Sequence, residues 1–318
     1  MSQDFSITIG GNTPRPLVMR SPVMSAAGTF GYGVEYARML DLSRVGAIVT
    51  KSTTARPRAG APMPRWIETP SGMLNAVGLH NPGIGRVLRE YAPRWDRLGV
   101  PVVLSIAGES IEEYVAIAGR AEEAEGIAGL ELNISCPNQP EGGVWFGTDR
   151  ELAASVTAAV RGVTSLPLIV KLTPSAVSVP GVATAVEAAG ADAVALVNTI
   201  TGMVINPDTR RPALGNGSGG LSGPAIRPIA VRLVWEVAQV VSVPVIGLGG
   251  VTLAEDALQF IMAGATAVQV GSASFSRPDT ILNVVNGLAD WMDRHGVGSL
   301  EEIRGCALPG RTAVEQWS

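Results

Sequence analysis

The chain has 318 residues, 46% of them hydrophobic and 16% charged, with 38 glycines and 22 prolines; this composition excludes disorder and implies a sizeable core joined by many tight turns. A formal net charge of -4 without any basic block excludes a nucleic-acid surface, so a small-molecule substrate is expected. The only two cysteines, Cys136 and Cys306, exclude a disulfide framework and a Cys-rich metal site, and fit a reducing, cytoplasmic compartment.

Met1 to Thr8 carry Asp4 but neither a basic region nor an apolar segment long enough for export, and no stretch approaches a membrane span. From Phe5 to Val18 the chain alternates Phe5, Ile7 and Ile9 with polar residues and turns at Gly10-Gly11-Asn12, which predicts a β-hairpin. Short β-rich apolar runs follow at Pro22 to Met24, Ala47 to Thr50, Val100 to Ile106, Gly129 to Ile134, Leu168 to Leu172, Ala193 to Val197, Val243 to Leu248 and Ala267 to Val270. Helix-length segments separate them, with capping boxes predicted at Ser110/Glu113, Thr148/Glu151 and Thr252/Glu255.

Eight continuously apolar strands alternating with helices predict a parallel sheet covered by helices, and eight is the number that closes a barrel. The expected fold is α/β, a single (βα)8 TIM barrel over residues 1–318, with the N-terminal β-hairpin plugging the barrel floor.

On this frame the polar residues fall at the C-terminal ends of successive strands, where a barrel of this kind builds its active site. Lys51 follows the second strand, Ser105 ends the third, Asn133 the fourth and Lys171 the fifth, while Asn198 and Thr199 follow the sixth. Gly249-Gly250 and Gly271-Ser272 follow the last two strands, where glycines let backbone N–H groups approach a phosphate. The run Asn133-Ile134-Ser135-Cys136-Pro137-Asn138 concentrates amides and a thiol at one strand-to-loop junction, which makes Cys136 the first catalytic candidate. A lone cysteine is ordinarily a packing residue, and Cys306 is read that way. Lysines are ordinarily solvated, but Lys51 and Lys171 each follow an apolar strand and would face the mouth.

Together with the loop Ser25 to Gly31, Lys51-Ser52-Thr53-Thr54, Asn75 to Leu79, Val170-Lys171-Leu172, Gly219 to Pro224 and Gly247 to Val251, these motifs resemble the dihydroorotate dehydrogenases over nearly the whole chain. The resemblance implies an FMN-dependent barrel that oxidises dihydroorotate to orotate in pyrimidine biosynthesis. Cytosolic members of that family use a cysteine base where membrane-associated members use a serine, so Cys136 implies the cytosolic class. Gly142 to Asp149 and Leu221 to Ile226 are similar to the subgroup whose catalytic subunit pairs with an iron–sulfur flavoprotein carrying FAD and a [2Fe-2S] cluster and passing electrons to NAD. A homodimer, and with that partner a heterotetramer, is the implied assembly, with no metal on this chain.

By the same resemblance, Cys136 takes a proton from the substrate and FMN takes the hydride. Lys51, Asn75, Ala76, Val77, Gly78, Leu79, Asn133, Asn138, Asn198 and Thr199 bind the substrate. Ala26, Ala27, Lys51, Ser52, Ser105, Asn133, Lys171, Val197, Gly223, Gly249, Gly250, Gly271 and Ser272 bind FMN. A thiol of ordinary pKa, ~8.5, is mostly protonated at neutral pH, so activity is expected to rise as the thiolate forms. The sequence departs from the subgroup at Ala27, where serine is frequent, and at Ser105, where asparagine is frequent.

Other readings remain open at this level. A related flavin barrel would act on another dihydropyrimidine, and a Schiff-base aldolase would use Lys171. A non-catalytic barrel gives no reason for amides and charges to converge on one mouth. Gly215 to Gly220 satisfies G-x-G-x-x-G but lacks a preceding strand and is read as a loop, and Met73 is read as core or lid packing. Pro137 to Gly147 is expected to form a lid over Cys136.

Overall fold

The structure, a computed structural model, describes residues 5–134 and 146–310. All eight expected barrel strands form: β1 (Val23–Ser25), β2 (Ile48–Val49), β3 (Val102–Ile106), β4 (Gly129–Asn133), β5 (Leu168–Lys171), β6 (Ala193–Leu196), β7 (Val245–Leu248) and β8 (Ala267–Val270). Paired neighbours run parallel around the ring in sequence order, with Val49 opposite Val103, Ser105 opposite Glu131, Asn133 opposite Lys171 and Gln269 opposite Met24. The ring closes between β1 and β2 through a parallel bridge from Met24 to Ala47, with Ser25 N donating to Ala47 O at 3.1 Å.

The two-residue period of a strand sorts the side chains into two cores. Val23, Ile48, Leu104, Leu130, Val170, Val194 and Val268 face outward against the helices, whereas Met24, Val49, Val103, Ile169, Ala195, Ile246 and Ala267 pack inside the ring. Each fully buried aliphatic side chain contributes roughly 1.5–3 kcal/mol. The helices answer with their own period: Ile111–Glu122 buries Tyr114, Ile117, Ala118 and Ala121.

Helix starts follow local side-chain chemistry, with shifts from the sequence reading. Ser110 caps its helix by accepting from Glu113 N at 3.3 Å, but the Glu113 carboxylate reaches Glu109 N, one residue before the cap. The next cap is Asp149, not Thr148, and it accepts from Glu151 N and Leu152 N. After β7 the helix Ala254–Met262 starts one residue later than Thr252 implied. There Asp256, not Glu255, accepts from the backbone N–H groups of Thr252 and Leu253 and from the Thr252 hydroxyl. At Asp149 the carboxylate takes the donor that a Thr148 cap would have used, with charge-assisted bonds, whereas at Asp256 the Thr252 hydroxyl is itself a donor.

The hairpin pairs Ile7–Ile9 with Leu17–Met19, and Ile9, Leu17 and Met19 are buried in the inner core, closing the barrel floor. The alternation sets the register, because a one-residue slip would bury polar Thr8 and expose Ile9. At the opposite end a four-stranded antiparallel sheet, in the order Ile200–Gly202, Gly219–Ser222, Gly72–Asn75 and Trp66–Thr69, is inserted after β2 and β6. The last two residues of the expected 215–220 loop, Gly219 and Gly220, therefore belong to a strand. Met73 is half-buried within this sheet. Among the described residues no helix is long and apolar enough to cross a membrane.

Candidate active site

The site grows out of the inward face of β4 and its neighbours. In the sequence Gly129-Leu130-Glu131-Leu132-Asn133, the leucines enter the outer core and Asn133 faces the mouth beside Lys171. The Asn133 carbonyl accepts from the Tyr114 hydroxyl at 2.9 Å, and Phe146 packs edge-on against the Tyr114 ring. The Asn133 side-chain amide donates to Ser52 Oγ at 2.9 Å, and Ser52 Oγ lies 2.8 Å from Ser105 Oγ. Thus Ser105, the short residue where asparagine is frequent, joins a buried hydrogen-bonded chain with Ser52 and Asn133. The loop after β2 is held to β3 by Thr53 N donating to Ser105 O at 2.9 Å and Ala107 N donating to Thr53 O at 3.0 Å.

Lys51 and Lys171 bring the cations. Lys171 is 4% exposed at the end of β5. Lys51 is partly buried, and among the described residues no carboxylate pairs with it. Burial, with a smaller contribution from the nearby Arg65 guanidinium, holds its ammonium below the ordinary lysine pKa. An anionic ligand beside Lys51 would oppose both effects by favouring the ammonium.

The sheet over the mouth carries further amides to the same place. Asn75 stands opposite Gly220, and its side chain donates to Gly220 O at 3.2 Å. Thr199 packs flat on Gly220, where a Cβ would come within 2.0 Å of the threonine hydroxyl, and a Cβ on Gly219 would come within 2.5 Å of Asn75 O. Two glycines thus let the post-β2 and post-β6 segments meet. Asn198 N donates to Leu172 O, and its side-chain oxygen accepts from Thr199 N at 2.8 Å. Val197 N donates to Leu248 O.

From Ala76 to Leu79 the backbone turns sharply: Ala76 is buried, Gly78 has φ +71° and Leu79, unusually for its type, has φ +52°. Asn81, which the sequence reading missed, holds this turn. Its amide donates to Leu79 O and Thr54 Oγ1, and its oxygen accepts from Thr54 N and Gly83 N.

The expected phosphate loops also converge. A Cβ on Gly250 would lie 2.7 Å from Gly223 O and 3.0 Å from Arg227 Cβ, and one on Gly249 would lie 2.9 Å from Ala230 Cβ. The Gly250 carbonyl accepts from Arg227, whose guanidinium also pairs with Asp256 at 2.7 Å. Gly271 sits beside Ala26. The Ala26 N–H donates to Val270 O and its carbonyl accepts from Thr29. Ser272 precedes the short helix Ala273–Ser276. Cys136 and Asn138, with most of the expected lid, lie outside the described residues.

Residues 16–292 match the family model for dihydroorotate dehydrogenase. The chain belongs to the dihydroorotate dehydrogenase family. It is 49% identical over 305 residues to the catalytic subunit of dihydroorotate dehydrogenase B (NAD(+)) from Pelobacter propionicus, covering 96% of this chain and 99% of that relative. The protein of the same description from Desulforudis audaxviator is 50% identical over 291 residues, covering 92% and 95%. That from Trichlorobacter lovleyi is 48% identical over 310 residues, covering 98% and 100%. Lys51, Asn133, Lys171 and the glycines at 223, 249 and 250 lie at or just beyond the C-terminal ends of the barrel strands, the end where this fold carries its chemistry.

Proposed function

We propose that residues 1–318 form one FMN-binding domain that oxidises dihydroorotate to orotate. It would act as the cytoplasmic catalytic subunit of an NAD-linked enzyme whose partner carries FAD and a [2Fe-2S] cluster. The observation that carries this reading is the convergence on one mouth of two buried or partly buried lysines, the amides of Asn75, Asn133 and Asn198, and three glycines packed too closely for any Cβ.

The residues present fit a flavin mononucleotide. The close backbone packing at Gly223, Gly249 and Gly250, with Gly271 and Ser272 following the adjacent strand β8, would offer N–H groups to a phosphate. FMN, when bound, supplies the hydride acceptor that no side chain can provide. Lys171 would hold the anionic edge of the reduced ring, with Ala26, Ala27, Ser52, Ser105, Asn133 and Val197 around it. Lys51 would meet the substrate carboxylate, whose charge would favour the ammonium that burial and Arg65 disfavour. Asn75, Asn133, Asn138 and Asn198 offer donor and acceptor together, as a cyclic ureide requires, and Thr199 adds a hydroxyl.

Proton removal is assigned to Cys136, three residues beyond Asn133 on the loop leaving β4. The thiolate would take a proton from one ring carbon of the substrate, and bound FMN would supply the acceptor for the hydride of the neighbouring carbon. A homodimer, joined to the iron–sulfur flavoprotein as a heterotetramer, is the assembly this reading expects.

The deciding experiment follows the visible absorbance of the FMN-loaded chain through anaerobic addition of dihydroorotate, with dihydrouracil in parallel. Prompt bleaching by dihydroorotate alone is expected. A chain that retains no flavin, or flavin that stays oxidised, overturns the reading.

A further inference from the structure

The site described above leaves one buried charge unused. Glu131 points into the barrel two residues before Asn133 on the same face of β4 and is fully buried. Gln269, 1% exposed on β8, donates from Nε2 to Glu131 Oε2 at 2.9 Å. Strands β4 and β8 stand on opposite sides of the ring, so this bond spans the barrel. The second carboxylate oxygen, Glu131 Oε1, has no hydrogen-bond partner, and neither has Gln269 Oε1. Among the described residues the one cation within ion-pair distance of Glu131 is Lys171, whose Nζ lies 3.9 Å from Oε1.

This arrangement is costly for stability. A buried carboxylate with one unsatisfied oxygen is poorer than a pair of well-packed apolar side chains, and below it the barrel interior is filled by Met24, Val49, Val103 and Ile169. Its geometry nevertheless suits a specific task. At 3.9 Å, Glu131 acts on Lys171 through charge without claiming its N–H donors, which stay available to a ligand at the mouth. Gln269 fixes the carboxylate so that the distance is set by the barrel itself rather than by a mobile side chain.

We propose that Glu131, clamped by Gln269, is a positioning residue that shares the charge of Lys171 and so lowers the reduction potential of the flavin bound at the mouth. The inference rests on the FMN reading above. Reduction adds negative charge to the flavin. The Lys171 ammonium favours that charge, the Glu131 carboxylate opposes it, and the balance between the two sets how readily the flavin passes its electrons on.

The test measures the midpoint potential of FMN bound to the wild-type chain and to Glu131→Gln by slow enzymatic reduction against a reference dye. Glu131→Gln keeps the side-chain volume and an oxygen for the Gln269 bond while removing the charge. At a fixed potential its ratio of reduced to oxidised flavin is expected to rise at least threefold and toward tenfold, tenfold being ~30 mV for a two-electron couple. A rise of less than threefold, or a fall, overturns the proposal, since a structural role would shift the melting temperature and leave the potential unmoved. Should Glu131→Gln not fold, Glu131→Asp draws the same charge back from Lys171. An upward shift of at least twofold then supports the proposal, and anything less overturns it. Failure of the FMN reading is separate and visible in the wild type, which would retain no flavin or keep it oxidised on addition of dihydroorotate.

Discussion

Asn133 and Ser52, on barrel segments 81 residues apart, are joined by a buried hydrogen bond of 2.9 Å from the asparagine amide to the serine hydroxyl, and Ser105 extends the chain. Ser52 thereby fixes which way the Asn133 amide faces. Ser52→Ala removes an acceptor from a buried donor and is expected to destabilise the fold by about 1–3 kcal/mol. Because the lost group orients rather than reacts, KM for dihydroorotate should rise more than kcat falls. Urea denaturation with steady-state kinetics checks both. A Ser52→Thr variant, which keeps the hydroxyl, should recover most of the KM.

Lys51 has a lowered pKa, from burial first and Arg65 second. Orotate binding through its carboxylate requires the ammonium form, so affinity should be flat at neutral pH. It should then weaken as pH rises through a value below the ordinary 10.5. Flavin spectral titrations with orotate across pH check this. Lys51→Met should lose at least tenfold in affinity, ~1.4 kcal/mol, and should flatten the alkaline fall.

Much of this site was legible from the chain because it follows the period of strands. Lys51, Asn133 and Lys171 each close an apolar run, and the barrel turns that position into a place at the mouth. What escaped was set by contacts distant in sequence. Gly219 and Gly220 read as a loop, since their strand exists only by pairing with Asn75 on one side and Thr201 on the other. Asn81 stands out only through its four hydrogen bonds, which tie Leu79 to Thr54 across the fold. Glu131 carried a readable signal, a charge inside an apolar strand in step with Asn133. Its partner Gln269 comes from the far side of the ring. The cap at Thr148 moved to Asp149 because a carboxylate accepts more strongly than a hydroxyl, and Thr252 gave up its capping role by donating to Asp256.

Tyr32 gives a stability prediction. Its phenol is buried, and that burial pushes its pKa from 10.0 to about 12 despite an opposing hydrogen bond with Thr53. The folded state thus keeps the proton after the unfolded chain has lost it. The resulting stabilisation is complete below pH 10 and is lost as pH rises from there toward 12. Between pH 9 and 11 the loss should be on the order of 1 kcal/mol. Urea midpoints at these two pH values check it, and Tyr32→Phe should remove this part of the slope.

Cys136 as the base predicts a rate that climbs with pH as the thiolate forms. Cys136→Ala should lower the rate of flavin reduction by roughly 10²–10⁴-fold and abolish the rise. Cys136→Ser, with a far less acidic hydroxyl, should shift the rise to higher pH. Stopped-flow reduction by dihydroorotate measures this half-reaction apart from any partner subunit. A rise that persists unchanged in Cys136→Ala would assign the proton to another group.

The glycine cradle can be separated from general glycine effects by comparing two positions with φ near the left-handed region. Gly250, at φ +80°, has no room for a methyl group, which would lie 2.7 Å from Gly223 O and 3.0 Å from Pro224 Cα. Gly296, at φ +65°, ends the helix Thr280–His295 and has nothing within 4 Å of a built Cβ. Alanine at Gly296 therefore meets only the intrinsic left-handed penalty, about 1–2 kcal/mol, and should leave FMN affinity unchanged. Alanine at Gly250 meets that penalty and also forces the Gly223 and Gly250 loops apart. Since those two backbones together form the expected phosphate cradle, Gly250→Ala should weaken FMN at least tenfold more than Gly296→Ala does. Fluorescence titration of the apoprotein with FMN reads that ratio directly. Equal affinities in the two variants would move the phosphate away from these loops.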